Sequence, residues 1–370
     1  MSTFCPYFKQ GLFIGSTADG EPSLAMCCWQ KKKTVDRADF DHSYLEQTRA
    51  ESLTQLPEVC SPYCAVPGHV ANDRERSLVE WPLLFGPITE EKVIRVLHIE
   101  QSLICNLKCI SCSSRLSSAW NGEYQLFDPT APTVSLAKFP EEQWRNLDLT
   151  HLQRIHFTGG EPLLNRDNKK LLQHLKELGV LSNVILSYST NGTIIPDNET
   201  LELWRQSRFV RLFISLDGTE SVFEYTRYPA KWAEVTANIE HFRSLKDICI
   251  LIEVNAIVGM HNIFALPKFF AWWQEHCPTG SQGDPSQVFV RRIQDSTFGG
   301  TALDLQHLTE EQANRALDML YLLNYPGILD IINYIKQNRN PSTAWVDYLE
   351  RLDNIRGTNW QDSLPQEITC

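Results

Sequence analysis

No apolar stretch of this sequence reaches the roughly 20 residues that a membrane-crossing helix needs. The amino-terminal Met1-Ser-Thr-Phe-Cys-Pro6 also lacks the basic-then-apolar order of a secretory signal. Positive charge is scarce: 34 lysines and arginines face 45 aspartates and glutamates, a formal charge of −11, and the basic residues form no block beyond Lys31 to Lys33. Nucleic acid and membrane are therefore not the expected partners, and the cytoplasm is the expected location. The sequence has no internal repeat and no low-complexity tract.

Cysteine, in contrast, is plentiful. The chain has 370 residues, 42% of them hydrophobic, and 11 cysteines. It exceeds the roughly 250–300 residues at which one core stops growing, so one large domain with a smaller appendage is expected. In a reducing compartment so many cysteines point to metal ligands or redox groups rather than disulfides. Cys5, Cys27, Cys28, Cys60 and Cys64 form one set and Cys105, Cys109 and Cys112 a second, while Cys249, Cys277 and Cys370 are scattered.

From Val93 onward, short β-rich runs alternate with helical stretches, the pattern of βα units around a parallel sheet. The expected strands are Val93–Ile99, Arg154–Phe157, Val184–Tyr188, Val210–Ser215, Cys249–Val258 and Val288–Ile293, most of them near-continuously apolar. The fold class expected is α/β, a partial (β/α)6 TIM-like barrel over residues 93–300. Leu171, Leu172, Leu175 and Leu178 recur at helical spacing, with Gly179 as the terminator. Residues 301–370 read as a helical extension that opens on a capping box, Thr309 to Gln312. Residues 1–80 read as a cysteine-rich module containing a hairpin, Leu12–Ile14 and Leu24–Met26 around Asp19-Gly20, and a helix from Ser43 to Leu56. Residues 81–92, with the Pro-containing stretch Trp81–Pro87, read as the linker.

Cys105-Asn-Leu-Lys-Cys109-Ile-Ser-Cys112 follows the first barrel strand, so its thiolates sit at the strand's C-terminal end, where barrel active sites are built. Three thiolates can hold three irons of a cubane and leave the fourth iron open. Structural zinc, the alternative, calls for a fourth Cys or His, and none follows closely after Cys112. Further motifs occur at the next strand ends: Thr158-Gly-Gly-Glu-Pro162, Ser187-Tyr-Ser-Thr-Asn-Gly192 and Ser215-Leu-Asp-Gly218. Singly, each is an ordinary turn or helix-cap signal.

In this order, the four motifs resemble those of the radical S-adenosylmethionine (SAM) superfamily over roughly residues 93–295. The resemblance implies a [4Fe-4S] cluster on Cys105, Cys109 and Cys112. It also implies SAM held by Gly159, Gly160 and Glu161 at its methionine amino group, and by Ser189, Asn191, Ser215 and Asp217 near its carboxylate and ribose. Ser111 stands where many members have an aromatic residue, which weakens the expected adenine packing there. The module resembles a twitch or SPASM-type auxiliary cluster domain placed before the barrel. Its candidate ligands are Cys5, Cys27, Cys60 and Cys64, with Cys28 as the alternative to Cys27 and zinc as the alternative to an auxiliary iron-sulfur cluster.

What the resemblance implies for function is reductive cleavage of SAM to a 5′-deoxyadenosyl radical that abstracts hydrogen from substrate. Such relatives often modify a ribosomally made precursor peptide, by crosslinking, thioether formation, epimerisation or backbone excision. A sugar, nucleoside or other small metabolite is the alternative substrate, and a noncatalytic metal-bearing binding protein is the alternative of another class. An electron donor such as flavodoxin or ferredoxin is implied as partner. A separate small leader-binding protein is also expected, because the cysteine module occupies the first 90 residues. His98, His156, Glu253, Arg291 and Arg292 either face the cavity or satisfy the core, and Tyr188 and Tyr225 read as packing residues.

Overall fold

The computed structural model describes residues 5–16, 21–27, 30, 33–58, 60, 64, 73–89, 91–100, 102–127, 144–276, 288–293, 301–325 and 327–368. Among them, nine strands form a single sheet: β1 (Gly11–Ser16), β2 (Pro22–Ala25), β3 (Lys33–Thr34), β4 (Val96–Ile99), β5 (Arg154–Phe157), β6 (Ile185–Thr190), β7 (Phe209–Ser215), β8 (Ile250–Val258) and β9 (Val288–Arg292), in the order β3-β2-β1-β4-β5-β6-β7-β8-β9. The six expected strands are all present, as β4 to β9, each paired in parallel with the next.

The expected hairpin is also there, with β1 and β2 antiparallel; its Asp19-Gly20 turn lies outside the described residues. The hairpin is not a separate appendage, however. Strand β1 pairs in parallel with β4, Leu12 opposite Leu97 and Ile14 opposite Ile99, so the amino-terminal strands extend the main sheet. Leu12, Ile14, Leu24 and Met26 join the same apolar core as Leu97 and Ile99.

The linker expectation needs correction. Asp73–Phe85 is a helix that runs through Pro82. Proline ordinarily breaks a helix by removing one N–H and crowding the preceding turn. Here the two aromatic anchors around it outweigh that cost: Trp81 and Phe85 are buried against Val96 and Ile185, and burying such a side chain stabilises by roughly 1.5–3 kcal/mol. The helix expected over Ser43–Leu56 ends earlier, at Glu51. The Ser52 and Thr54 hydroxyls donate to the carbonyls of Arg49 and Glu51, a local alternative to further helix.

The crossover helix Arg166–Glu177 shows how sequence builds one βα unit. Asn165 caps it by accepting from the Asp167 N–H at 3.1 Å, and Leu171, Leu172 and Leu175 are buried against the sheet. Gly179, at φ 73°, ends it in the left-handed region. Leu178, expected in the apolar stripe, lies at the helix end and is exposed. The tail is helical as expected, and the Thr309–Gln312 capping box is formed. One tail helix, Ala344–Arg356, reaches back to the loop after β4.

Candidate active site at the carboxyl ends of the strands

The loop carrying Cys105, Cys109 and Cys112 is fixed from several sides. Gly160 N–H donates to the Ser102 carbonyl at 2.9 Å and Glu161 N–H to that of Ile104 at 2.7 Å. Lys108 N–H donates to the Tyr228 carbonyl at 2.7 Å and Ile110 N–H to that of Thr226 at 2.9 Å. The indole of Trp120 donates to the Cys109 carbonyl at 3.0 Å. From the tail, the Tyr348 hydroxyl and the Arg356 guanidinium donate to the carbonyls of Ile110 and Lys108, at 2.8 and 2.7 Å. A loop whose polar backbone groups are satisfied in this way holds its side chains in place without a regular element.

Cys109 is buried, and Cys105 and Cys112 are half-buried. Burial pushes all three thiols above the ordinary range. At Cys105 and Cys112 the neighbouring Cys109 adds like-charge repulsion, while at Cys109 the Arg227 guanidinium opposes the rise. A bound metal cation is what such a trio fits, because it favours the thiolates that burial disfavours.

The glycine-rich segment is packed closely against the cysteine loop. A Cβ on Gly159 would stand 2.3 Å from the Ser102 carbonyl oxygen, and one on Gly160 2.3 Å from that of Ile104. What approaches these glycines closely is the backbone of the cysteine loop itself. Glu161 is buried, and its carboxylate accepts from the Leu163 N–H at 3.0 Å, the Thr190 hydroxyl at 2.9 Å and the Asn191 N–H at 2.7 Å. It therefore ties the end of β5 to the end of β6. The Asn191 amide in turn reaches Asn106 at 2.9 Å and the Cys105 sulfur at 3.9 Å.

Asp217 follows β7. Its carboxylate is fully buried, accepting from the Ile257 N–H at 2.8 Å and standing 2.7 Å from Nε of Arg227. A buried guanidinium needs a carboxylate partner, and Asp217 serves that need. Ser215 is half-buried at the end of β7, opposite Asn255 of β8. Past the end of β8, His261 is fully buried, and neither ring nitrogen has a hydrogen-bond partner among the described residues. An unsatisfied buried polar group costs about 1–3 kcal/mol, so a ligand at this end of the sheet has a polar group to satisfy.

A cavity of about 370 Å³ has Leu12 of β1 and Arg291 of β9 both in its wall. Ser189 lines it, beside His98 and His156, whose rings meet edge-to-face at 4.7 Å. His98 Nε2 pairs with the Thr158 hydroxyl at 3.0 Å, and His156 with the hydroxyls of Ser187 and Ser189 at 2.8 and 3.2 Å. Burial, with His98, Arg154, Arg211 and Arg291 nearby, pushes His156 well below its ordinary pKa and keeps it neutral. Imidazoles, hydroxyls and guanidiniums share the cavity wall with apolar side chains such as Leu12, Met26 and Phe289.

A family model described as the Radical SAM superfamily matches residues 99–263, which span all the motifs above. Residues 99–263 are a radical SAM domain. Over 168 residues the chain is 24% identical to a PqqA peptide cyclase of Rhodopseudomonas palustris, covering 44% of this chain and 39% of that protein. Over 143 residues it is 27% identical to a probable GTP 3′,8-cyclase of Methanococcus vannielii, covering 39% and 40%. The chain thus spans about two fifths of the length of these curated relatives. Among solved structures, SuiB of Streptococcus suis bound to S-adenosylmethionine aligns at 15% identity and a TM-score of 0.40, covering 85% of this chain and 65% of that one. A structure described as native anSMEcpe with bound AdoMet aligns at 16% and 0.40, covering 67% and 63%.

Outside the radical SAM domain, Cys5 heads the helix Pro6–Gln10, Cys27 follows β2, and Cys60 and Cys64 follow the helix Ser43–Glu51. Cys27 and Cys60 both lie beside Tyr44, whose phenol is raised by burial and by those two thiols. Cys5 and Cys64 are buried. Cys27 also lines the cavity of the radical SAM domain; Cys28, Cys277 and Cys370 lie outside the described residues. Tyr188 is a packing residue as expected, stacked on Phe157 at 4.9 Å. The contributions of Arg227, Tyr348, Arg356 and His261 went unread in the sequence because no local pattern marks them.

Glu161 yields a pH prediction. Burial raises its pKa to about 7, against three hydrogen bonds that favour the anion. Between the ordinary value of 4.5 and about 7 the unfolded chain gives up this proton while the folded chain keeps it. Stability contributed here is therefore lost as pH rises through that window, by on the order of 2–3 kcal/mol. Urea unfolding of the metal-free protein from pH 4.5 to 8 is expected to show this decline in wild type and a flatter profile in Glu161→Gln. Parallel profiles would count against it.

Proposed function

We propose that this chain reductively cleaves S-adenosylmethionine at a [4Fe-4S] cluster on Cys105, Cys109 and Cys112, and that the resulting 5′-deoxyadenosyl radical abstracts hydrogen from a ribosomally made precursor peptide. The observation that carries the reading is the union, within the matched domain, of the three-thiol loop with the Gly159–Glu161 segment folded directly upon it. A cluster held by Cys105, Cys109 and Cys112 would supply the electron and a site for the sulfonium's amino acid end. The chain's own residues hold the thiols through the loop's backbone bonds, and Glu161 and Asn191 fix the neighbouring strand ends. The sheet, as an incomplete six-unit barrel, shields the reacting centre from water around the His98–His156 chamber.

Peptide modification is supported by the likeness to PqqA peptide cyclase. The reading includes an auxiliary iron-sulfur cluster on Cys5, Cys27, Cys60 and Cys64, of which Cys27 and Cys60 both act electrostatically on the Tyr44 phenol. It includes an electron donor such as flavodoxin or ferredoxin, a separate leader-binding protein and a cytoplasmic location. A second reading, a small polar metabolite as substrate, is favoured by the imidazoles and guanidiniums in the chamber wall and the likeness to GTP 3′,8-cyclase.

Anaerobic reconstitution, iron and sulfide analysis, and chromatographic assay of 5′-deoxyadenosine after reduction test the first step. Zinc without iron, or iron without SAM cleavage, would overturn the radical reading. Mass spectrometry of precursor peptides encoded beside the gene tests the second step. Cleavage that leaves every such peptide unchanged but consumes a nucleotide or sugar moves the assignment to the metabolite.

A further inference from the structure

We infer that Arg227, anchored by Asp217, sets the reduction potential of the cluster through the Cys109 sulfur. The inference rests on the cluster reading above and goes beyond ligand assignment to name the group that governs how readily the site accepts an electron. The backbone gives the first reason. Lys108 N–H and Ile110 N–H, on either side of Cys109, donate to the carbonyls of Tyr228 and Thr226, on either side of Arg227. This two-rung ladder sets the two side chains opposite one another, and Nη1 of Arg227 stands 3.7 Å from Sγ of Cys109.

The second reason is that the guanidinium has no freedom to leave. Its Nε lies 2.7 Å from the Asp217 carboxylate. Asp217 is itself held by the Ile257 N–H at 2.8 Å, and its carbonyl accepts from the Asn262 amide at 2.8 Å. The arginine is 9% exposed and the aspartate 0%. A buried ion pair of this kind is seldom more stabilising than a well-packed apolar pair of the same volume, so stability alone gives little reason for it. A fixed cation on a cluster thiolate has a definite consequence: the reduced cluster carries one more negative charge than the oxidised one, so the cation favours reduction and raises the potential. Asp217 moderates the effect by cancelling part of the charge. Arg356, the other cation acting on Cys109, is engaged with Glu123 at 2.8 Å.

The two partners therefore act with opposite signs, which a purely structural role would not produce. The test is an EPR-monitored redox titration of the full chain, reconstituted anaerobically, following the SAM-responsive signal. Arg227→Gln is expected to move the midpoint to more negative potential and Asp217→Asn to more positive, with Arg227→Lys close to wild type. Unmoved midpoints in the iron-loaded variants, or shifts of the same sign, overturn the inference. Should Arg227→Gln fail to take up iron, Asp217→Asn decides: a positive shift upholds the inference and any other result removes it. A wild-type chain that binds no iron removes the functional reading and this inference together, whereas a loaded, active chain with immovable potentials removes this inference alone.

Discussion

Replacing Cys105, Cys109 and Cys112 together with alanine is expected to cut 5′-deoxyadenosine formation by more than about a thousandfold, to background, because the acceleration, ordinarily 10⁶ or more in an enzyme, depends on the site these thiols build. The fold should survive. The loop is held by backbone bonds to Thr226, Tyr228 and the Gly160–Glu161 segment rather than by its sulfurs. Circular dichroism and the unfolding midpoint of the metal-free protein should therefore change little, while iron content falls by the catalytic cluster's share. Iron retained on the amino-terminal thiols would support the auxiliary site; a variant that kept cleaving SAM would move the chemistry elsewhere.

The second large effect is expected at Gly160. An alanine Cβ there meets the Ile104 carbonyl oxygen at 2.3 Å and the carbonyl carbons of Ile104 and Leu103 at 2.7 Å. These are backbone atoms with no rotamer to yield, so either the cysteine loop or the end of β5 has to move. Gly160→Ala is expected to destabilise by about 1–3 kcal/mol, the usual cost of overpacking, and to lower iron retention by displacing Cys105. Gly122→Ala is the control, since nothing lies within 4 Å of its Cβ position in the helix Asn121–Phe127. Thermal unfolding and iron retained after desalting measure both; equal behaviour of the two variants would show that the close approach is relieved cheaply.

How far the sequence foretold these results depended on the range of the interaction. Strands β5, β7, β8 and β9 were legible to within one residue at each end, because each is built largely on β-branched, aliphatic and aromatic residues bounded by turn or loop residues. The cysteine triplet stands out in the sequence by its spacing. The parallel pairing of β1 with β4 was not, because a strand's apolar pattern tells which faces are buried and not which neighbour it takes. Pro82 misled in the other direction, since its local cost is visible and the burial of Trp81 and Phe85 is not. The residues that hold the thiols lay deepest out of sight: Arg227 meets Cys109 across 118 positions, and Tyr348 meets Ile110 across 238. Asp217 was found in the sequence, but its ion pair with Arg227 was not.

The pairing of β1 with β4 gives the first ribbon of the chain a protective duty. Beside β4 the sheet's row of N–H and C=O groups is occupied by Gly11 to Ile14. A chain begun at Val93 would present that row to solvent, and an exposed parallel edge of apolar residues is a template on which further copies stack. The amino-terminal segment thus guards that edge against aggregation.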